Sequence, residues 1–186
     1  MNNTLYLTNR KEWRKWLDKN FQTEKEIWLI YPKKASSKER IVYNDAVEEA
    51  LCFGWIDSNV KSLDEQSFMQ RFTPRNPKST YSQSNKERIR WLYVQNMFHP
   101  SIVETIKHIV DEDFVFPEDI LEILRKDVTV WKNYNQFSES YKRIRIAYID
   151  SARISSEEFN KRLESFIKNT KNNKLIKGFG GIEKYY

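Results

Sequence analysis

Residues 46–91 read AVEEALCFGWIDSNVKSLDEQSFMQRFTPRNPKSTYSQSNKERIRW and carry the clearest structural signals in the chain. This stretch begins with an amphipathic helical segment that ends at Gly54, where a glycine readily takes the left-handed conformation of a helix C-terminus. Two alternating segments follow, at residues 55–63 and 67–73. Their alternation of apolar and polar side chains predicts a β-hairpin.

Side-chain alternation also predicts how the two strands pair. The apolar side chains that should share one buried face are Ile56, Val60, Phe68 and Phe72. A three-residue turn at residues 64–66 meets this condition by pairing Leu63 with Ser67, because cross-strand partners share a face. A two- or four-residue turn would instead put Asp57 beside Phe72.

The predicted register collects polar groups on the other face of the hairpin. Asp57 is then opposite Thr73, and Trp55 is opposite Arg75. Arg71 and Arg75 become diagonal neighbours of Asp57, close enough for long side chains to meet. The register therefore predicts an indole, a carboxylate and two guanidinium groups on one face.

The flanking sequence completes an α+β fold. Before the hairpin, residues 5–7 and 26–34 read as strands, and Trp13, Trp16 and Leu17 form an apolar helical stripe between them. After it, Ser84 and Glu87 fit a capping box that opens a helix, and further helical patterns follow from Pro100 onward. We predict a small, mainly antiparallel sheet with packed helices in residues 1–99. We expect an all-helical region in residues 100–186, ending in a flexible or docking tail, GFGGIEKYY.

Composition limits the class of protein. The chain has 186 residues, a net charge of +6 and one cysteine, Cys52, so no internal disulfide forms. It shows neither a signal-peptide pattern nor an apolar run long enough for a membrane span, and we expect a cytoplasmic protein. The positive charge is local, because residues 71–90 hold six Lys or Arg against one Glu. A basic surface of this kind suits an anionic partner.

The candidate site is a binding site for an anionic group of a small molecule or a protein partner. Arginines offer forked donors, the hydroxyls and the helix start offer further donors, and the aromatic rings can stack on a planar ligand. The predicted ligand-binding residues are Trp55, Asp57, Arg71, Arg75, Ser79, Tyr81, Ser82, Asn85 and Lys86. The alternative interpretation is structural, with Asp57 and the arginines forming a salt-bridge cluster, and Ser82 and Asn85 acting as turn caps.

Two other functions remain open. The basic segments at residues 71–90 and 161–177 would serve a nucleic-acid-binding protein if they formed one stripe. An enzyme would use Asp57 as a base beside Arg71 or Arg75, but neighbouring guanidiniums lower the pKa of a carboxylate and make it a poor base. No metal-ligand spacing is present, no cofactor is predicted, and Cys52 reads as a structural thiol. Ligand identity and oligomeric state are left open.

The motifs ALCFGWID, RFTPR, PKS and YSQSNKERI resemble the YdeI/OmpD-associated family of bacteriocin-protection-type proteins. The resemblance is most specific at residues 46–92, and it extends more weakly to the N-terminal helix and strand and to the C-terminal helical pair. It implies a small α+β domain followed by helices. It also implies a loose link to bacteriocin resistance and envelope stress, and it supplies no catalytic residues.

Overall fold

The computed structural model describes residues 3–178 and 181–186, and residue 34 by its backbone. The chain forms two compact units, one of residues 3–80 and 89–110 and the other of residues 81–88, 111–178 and 181–186. The first unit holds a mixed four-stranded sheet and the second is helical, so the predicted α+β class is confirmed. The division predicted between residues 99 and 100 stays a prediction. In the structure, residues 100–110 group with the first unit.

The first unit follows the predicted order of elements. In chain order these are β1 (Thr4–Tyr6), α1 (Arg10–Asn20), β2 (Ile27–Pro32), a 3₁₀ turn (Lys34–Ser36), α2 (Tyr43–Cys52), β3 (Trp55–Ser62), β4 (Ser67–Pro74), part of α3 (Gln83–Val94) and α4 (Pro100–Val110). The strands lie in the order β1-β2-β4-β3. β1 pairs with β2 in parallel, and the other pairs are antiparallel.

Gly54 separates α2 from β3 with a φ of +71°, the left-handed conformation predicted for it. An added Cβ at this position would also lie 3.1 Å from the side chain of Ile102. The turn from helix to strand therefore depends on glycine for both backbone conformation and space.

Helix α1 covers one face of the sheet. The Trp13 ring packs edge-on against Phe72 at 5.4 Å, and Trp16 packs edge-on against Trp55 at 5.8 Å. The Trp13 indole also donates a hydrogen bond to the carbonyl of Ala46 in α2, at 3.0 Å. We call the face that carries Phe68, Gln70 and Phe72 the helix-covered face.

The second unit begins with the first turns of α3 and continues with α5 (Glu118–Arg125), α6 (Val128–Gln136), α7 (Glu139–Asp150), α8 (Ser156–Lys171) and a 3₁₀ turn (Ile182–Tyr185). Its core includes Tyr141 and Phe166. The tail docks on this unit, because the Tyr186 ring contacts Tyr141 at 4.7 Å and Ile182 is buried. Phe179 and Gly180 of the predicted tail lie outside the described residues. None of the helices in residues 3–178 and 181–186 has the length and apolar character needed to cross a membrane.

Candidate functional site

The β3–β4 hairpin contains a β-bulge that the sequence did not reveal. At the turn, the Leu63 amide donates to the Ser67 carbonyl at 3.1 Å, as the three-residue turn predicts. Further along, Val60 pairs with Gln70, but Asp57 pairs with Phe72. Two residues of β3 therefore stand opposite one residue of β4, and the register shifts by one.

The predicted pairs beyond the bulge are consequently wrong. Trp55 pairs with Pro74 instead of Arg75, and Thr73 pairs with Ile56 instead of Asp57. The buried side chain of Gln70 supports the bulge, because its amide donates to the Ser58 carbonyl at 2.9 Å. This hydrogen bond satisfies a carbonyl in the irregular segment.

The shift changes the face on which Asp57 lies. Asp57 shares the helix-covered face with its partner Phe72, whereas Arg71, next to Phe72 in β4, lies on the opposite face. Ile56 also lies on the opposite face. Val60 lies on the helix-covered face, but it is 59% exposed. The predicted sharing of one face by Trp55, Asp57, Arg71 and Arg75 is therefore wrong, and so is the predicted apolar face that joined Ile56 to Phe68 and Phe72.

Trp55 and Asp57 both have partners inside the first unit. Trp55 is 1% exposed, and its indole donates to the carbonyl of Phe21 at 3.0 Å. Asp57 accepts a hydrogen bond from the Tyr43 hydroxyl at 2.6 Å. The carboxylate thus lies beside a phenol at the start of α2, and its predicted partnership with Arg71 is wrong.

Arg71 contacts residues that the sequence analysis did not assign to a site. Its guanidinium donates twice to Glu26, at 2.8 and 2.5 Å, and this contact holds the pKa of Glu26 below its usual range. Trp28 is the cross-strand partner of Arg71, and the Lys61 ammonium lies 4.8 Å from the centre of its ring. Only the β2–β4 register could have identified this group, and the sequence gives no signal for that register.

Arg75 organises the loop that follows β4. Its guanidinium donates to the carbonyls of Asn76, Ser79 and Thr80 at 3.1, 2.6 and 2.7 Å. Ser79 therefore takes part in these hydrogen bonds through its backbone carbonyl. These hydrogen bonds fix the loop and use donors that were predicted to bind an anion.

The remaining predicted site residues belong to the second unit. The Ser82 hydroxyl accepts from the Asn85 amide at 3.3 Å, and Lys86 forms an ion pair with Glu112 at 2.5 Å. Tyr81 is half-buried. The ligand-binding role of the nine residues stays a prediction.

The predicted capping box at the start of α3 is wrong. Ser84 lies within the helix, which begins at Gln83. Ser82 accepts the first-turn hydrogen bonds in its place, from the Asn85 amide through its hydroxyl and from the Lys86 amide through its carbonyl. Glu87 is buried and forms an ion pair with Arg143 at 2.7 Å. The carboxylate that should have capped the helix instead joins α3 to α7.

Cys52, the one cysteine of the chain, is buried. Burial raises the pKa of the Cys52 thiol to about 12, in agreement with the structural role predicted for it. Within the described part of the chain, no group of three or more His, Cys, Asp or Glu side chains could hold a metal ion.

The fold and these contacts define an α+β protein with a helix-covered sheet in its first unit and a helical second unit. The chain belongs to the family described as Domain of unknown function (DUF8412), whose model matches residues 5–105. A second model, described as Bacteriocin-protection, YdeI or OmpD-Associated, matches residues 113–173. This match confirms the predicted resemblance but places it in the C-terminal helices instead of at residues 46–92. No curated protein and no solved structure matches the chain.

Proposed function

We propose that the protein is a binding module for an anionic partner, and that exposed lysines of the second unit make the contact. The observation that supports this proposal is a set of exposed lysines that form no ion pair in the part of the chain that the structure describes. Lys161, Lys168, Lys174 and Lys177 are exposed, and none of the four forms an ion pair within the described residues. Glu164 is the one acidic residue between residues 161 and 177.

The earlier basic segment offers less to an anion. Arg71 is paired with Glu26, and Lys86 is paired with Glu112. Arg75 donates to three loop carbonyls. An incoming anion would have to displace these acceptors, so we favour residues 161–177 over residues 71–90 as the contact surface.

The geometry of α8 suits a contact with an extended polyanion. Lys161 and Lys168 are seven residues apart, which is about two turns, so they lie on the same side of the helix with an axial separation of about 10 Å. Lys174 and Lys177 follow the end of α8 along the chain and add two exposed cations. Lys171, in contrast, is held by Asp127 at 2.8 Å.

A salt titration tests this function. Labelled duplex DNA and single-stranded RNA serve as polyanion probes, and the test variant is K161E/K168E. We expect the wild type to bind at low salt, and each lysine lost should reduce the slope of log K against log salt by about 1. The matched control is K11E/K15E, which makes the same charge change at exposed positions of α1.

The two variants separate a specific surface from net charge. The proposal requires K161E/K168E to weaken binding by at least tenfold more than the control. Equal losses in both variants would mean that only net charge matters. No binding of either probe at low salt would remove the proposal.

We also propose that this binding takes place in the cytoplasm and serves bacteriocin protection. The description of the family model at residues 113–173 supports the second part. Survival of expressing cells after bacteriocin challenge, compared between the wild type and K161E/K168E, tests the link. Equal survival of both would contradict it.

A further inference from the structure

Four polar side chains interact on the helix-covered face, on the two strands that flank β4 and on the segment that leads into α2. Their positions follow from the register: Tyr31 pairs with Phe68, and Asp57 pairs with Phe72, so both lie on the same face of the sheet. The group, which we call the tyrosine–aspartate cluster, consists of Tyr31, Arg40, Tyr43 and Asp57.

The cluster is held in place by its own hydrogen bonds. Tyr43 donates to Asp57 at 2.6 Å, and Arg40 donates to the carbonyl of Pro32 at 2.7 Å. Arg40, Tyr43 and Asp57 are half-buried, which leaves part of each side chain accessible. Three of the four members are therefore both fixed in position and open to a ligand.

The Tyr31 hydroxyl is the exception in this group. The residue is 2% exposed, yet its hydroxyl has no hydrogen-bond partner among the described residues. Burial raises the pKa of Tyr31 above its usual range, and Tyr43 and Asp57 raise it further, while Arg40 opposes the change. A buried hydroxyl without a partner is unfavourable and uncommon in folded proteins.

We propose that the tyrosine–aspartate cluster binds a small neutral molecule in which a hydrogen-bond donor for Asp57 adjoins an acceptor for the Tyr31 hydroxyl. A neutral ligand fits because the cluster itself contains one cation, Arg40, and one anion, Asp57. A ring-shaped body fits because Phe68, half-buried and stacked on Tyr31 at 5.3 Å, and exposed Val60 lie on the same face. Nucleosides and monosaccharides both carry this chemistry.

The β-bulge is what brings the carboxylate into the cluster. Without the extra residue of β3, Asp57 would pair with Thr73 and lie on the face of Arg71. Bulges often redirect a side chain next to a functional site. The irregular register is therefore a part of the proposed site.

The first test needs no ligand. Tyr31→Phe removes a hydroxyl that has no partner, so it should raise the midpoint of thermal unfolding by about 2 to 4 °C. The matched control is Tyr141→Phe, because Tyr141 is equally buried but its hydroxyl accepts from the Ile176 amide at 3.0 Å. The control should lower the midpoint. A lowered or unchanged midpoint in Tyr31→Phe would overturn the proposal.

The second test identifies the ligand class by thermal shift. One arm uses adenosine, guanosine, cytidine and uridine, and the other uses glucose, galactose and N-acetylglucosamine. At least one compound should stabilise the wild type, and Asp57→Asn and Tyr31→Phe should each weaken its binding by tenfold or more. The proposal fails if no compound in either arm stabilises the wild type, or if Asp57→Asn responds as the wild type does.

Discussion

Replacing Glu49 should destabilise the first unit strongly, because this buried carboxylate joins α1 to α2. Glu49 is 1% exposed, and it accepts two hydrogen bonds from Arg10, at 2.8 and 2.6 Å, and one from Arg14, at 2.7 Å. Burial is the largest influence on the pKa of both arginines and lowers it, but the hydrogen bonds to Glu49 and the attraction of nearby negative charge together outweigh burial and raise the pKa overall. Glu49 is thus the acid that both guanidiniums share.

The size of the effect follows from what remains after the change. Breaking a buried ion pair by removing one partner costs roughly 3–5 kcal/mol. Solvent reduces the loss here, because the side chains of Arg10 and Arg14 are 29% and 39% exposed. Arg10 also keeps contacts with Asp45 at 3.3 Å and with Glu48 at 3.2 Å. We therefore expect Glu49→Gln to cost about 2 kcal/mol and Glu49→Ala about 3 kcal/mol.

Urea unfolding followed by tryptophan fluorescence is the right assay, because most of the reporting side chains lie in the first unit. Five of the six tryptophans are there, namely Trp13, Trp16, Trp28, Trp55 and Trp91. The control is Glu104→Gln, an exposed acid of the same unit, which should change stability by less than about 0.5 kcal/mol. Adding Arg14→Met to Glu49→Gln should recover part of the loss, because it removes a cation that has lost its carboxylate. If Glu49→Gln behaves like Glu104→Gln, Asp45 and Glu48 suffice and our reasoning is wrong.

Three further predictions concern buried groups of the first unit. Trp55→Ala should cost about 3–5 kcal/mol in urea unfolding, because it leaves a cavity and removes the donor of the Phe21 carbonyl; a loss below about 1 kcal/mol would show that the indole is dispensable. Cys52 should resist thiol reagents at pH 8 to 9 until the protein unfolds. Because its folded pKa is raised from 9.0 to about 12, its contribution to stability is complete below pH 9 and is lost as the pH rises toward 12. Gln70→Leu should cost about 1–3 kcal/mol by leaving the Ser58 carbonyl without its 2.9 Å donor, and an unchanged urea midpoint would contradict this role.

Features set by local chemistry were predictable from the sequence. The glycine at residue 54 ended α2 because the left-handed conformation is open to it, and the three-residue turn paired Leu63 with Ser67 because alternation demanded it. The helical stripe of Trp13 and Leu17 is buried, as its spacing indicated. Each of these inferences depends on a few neighbouring residues.

Features set by distant partners were not predictable. Arg71 could be assigned an acceptor only once β2 was known to pair with β4, which brings Glu26 beside it. Glu87 fitted a capping box by spacing, but its carboxylate forms an ion pair with Arg143, 56 residues away. A charged side chain takes whichever partner the tertiary fold brings close, and spacing along the chain does not encode that choice.

The bulge shows how a local irregularity can alter a functional inference. The parity of strand pairing is strict, so one extra residue between Asp57 and Val60 reverses the face of every residue of β3 before it. Asp57 then meets the Tyr43 hydroxyl instead of a guanidinium, and it lies on the face where Tyr31 presents an unpartnered hydroxyl. The same residue changes from one half of an expected salt bridge to the acceptor of a site for neutral ligands. The chemistry assigned to this carboxylate therefore depends on a register shift that is supported by the buried amide of Gln70.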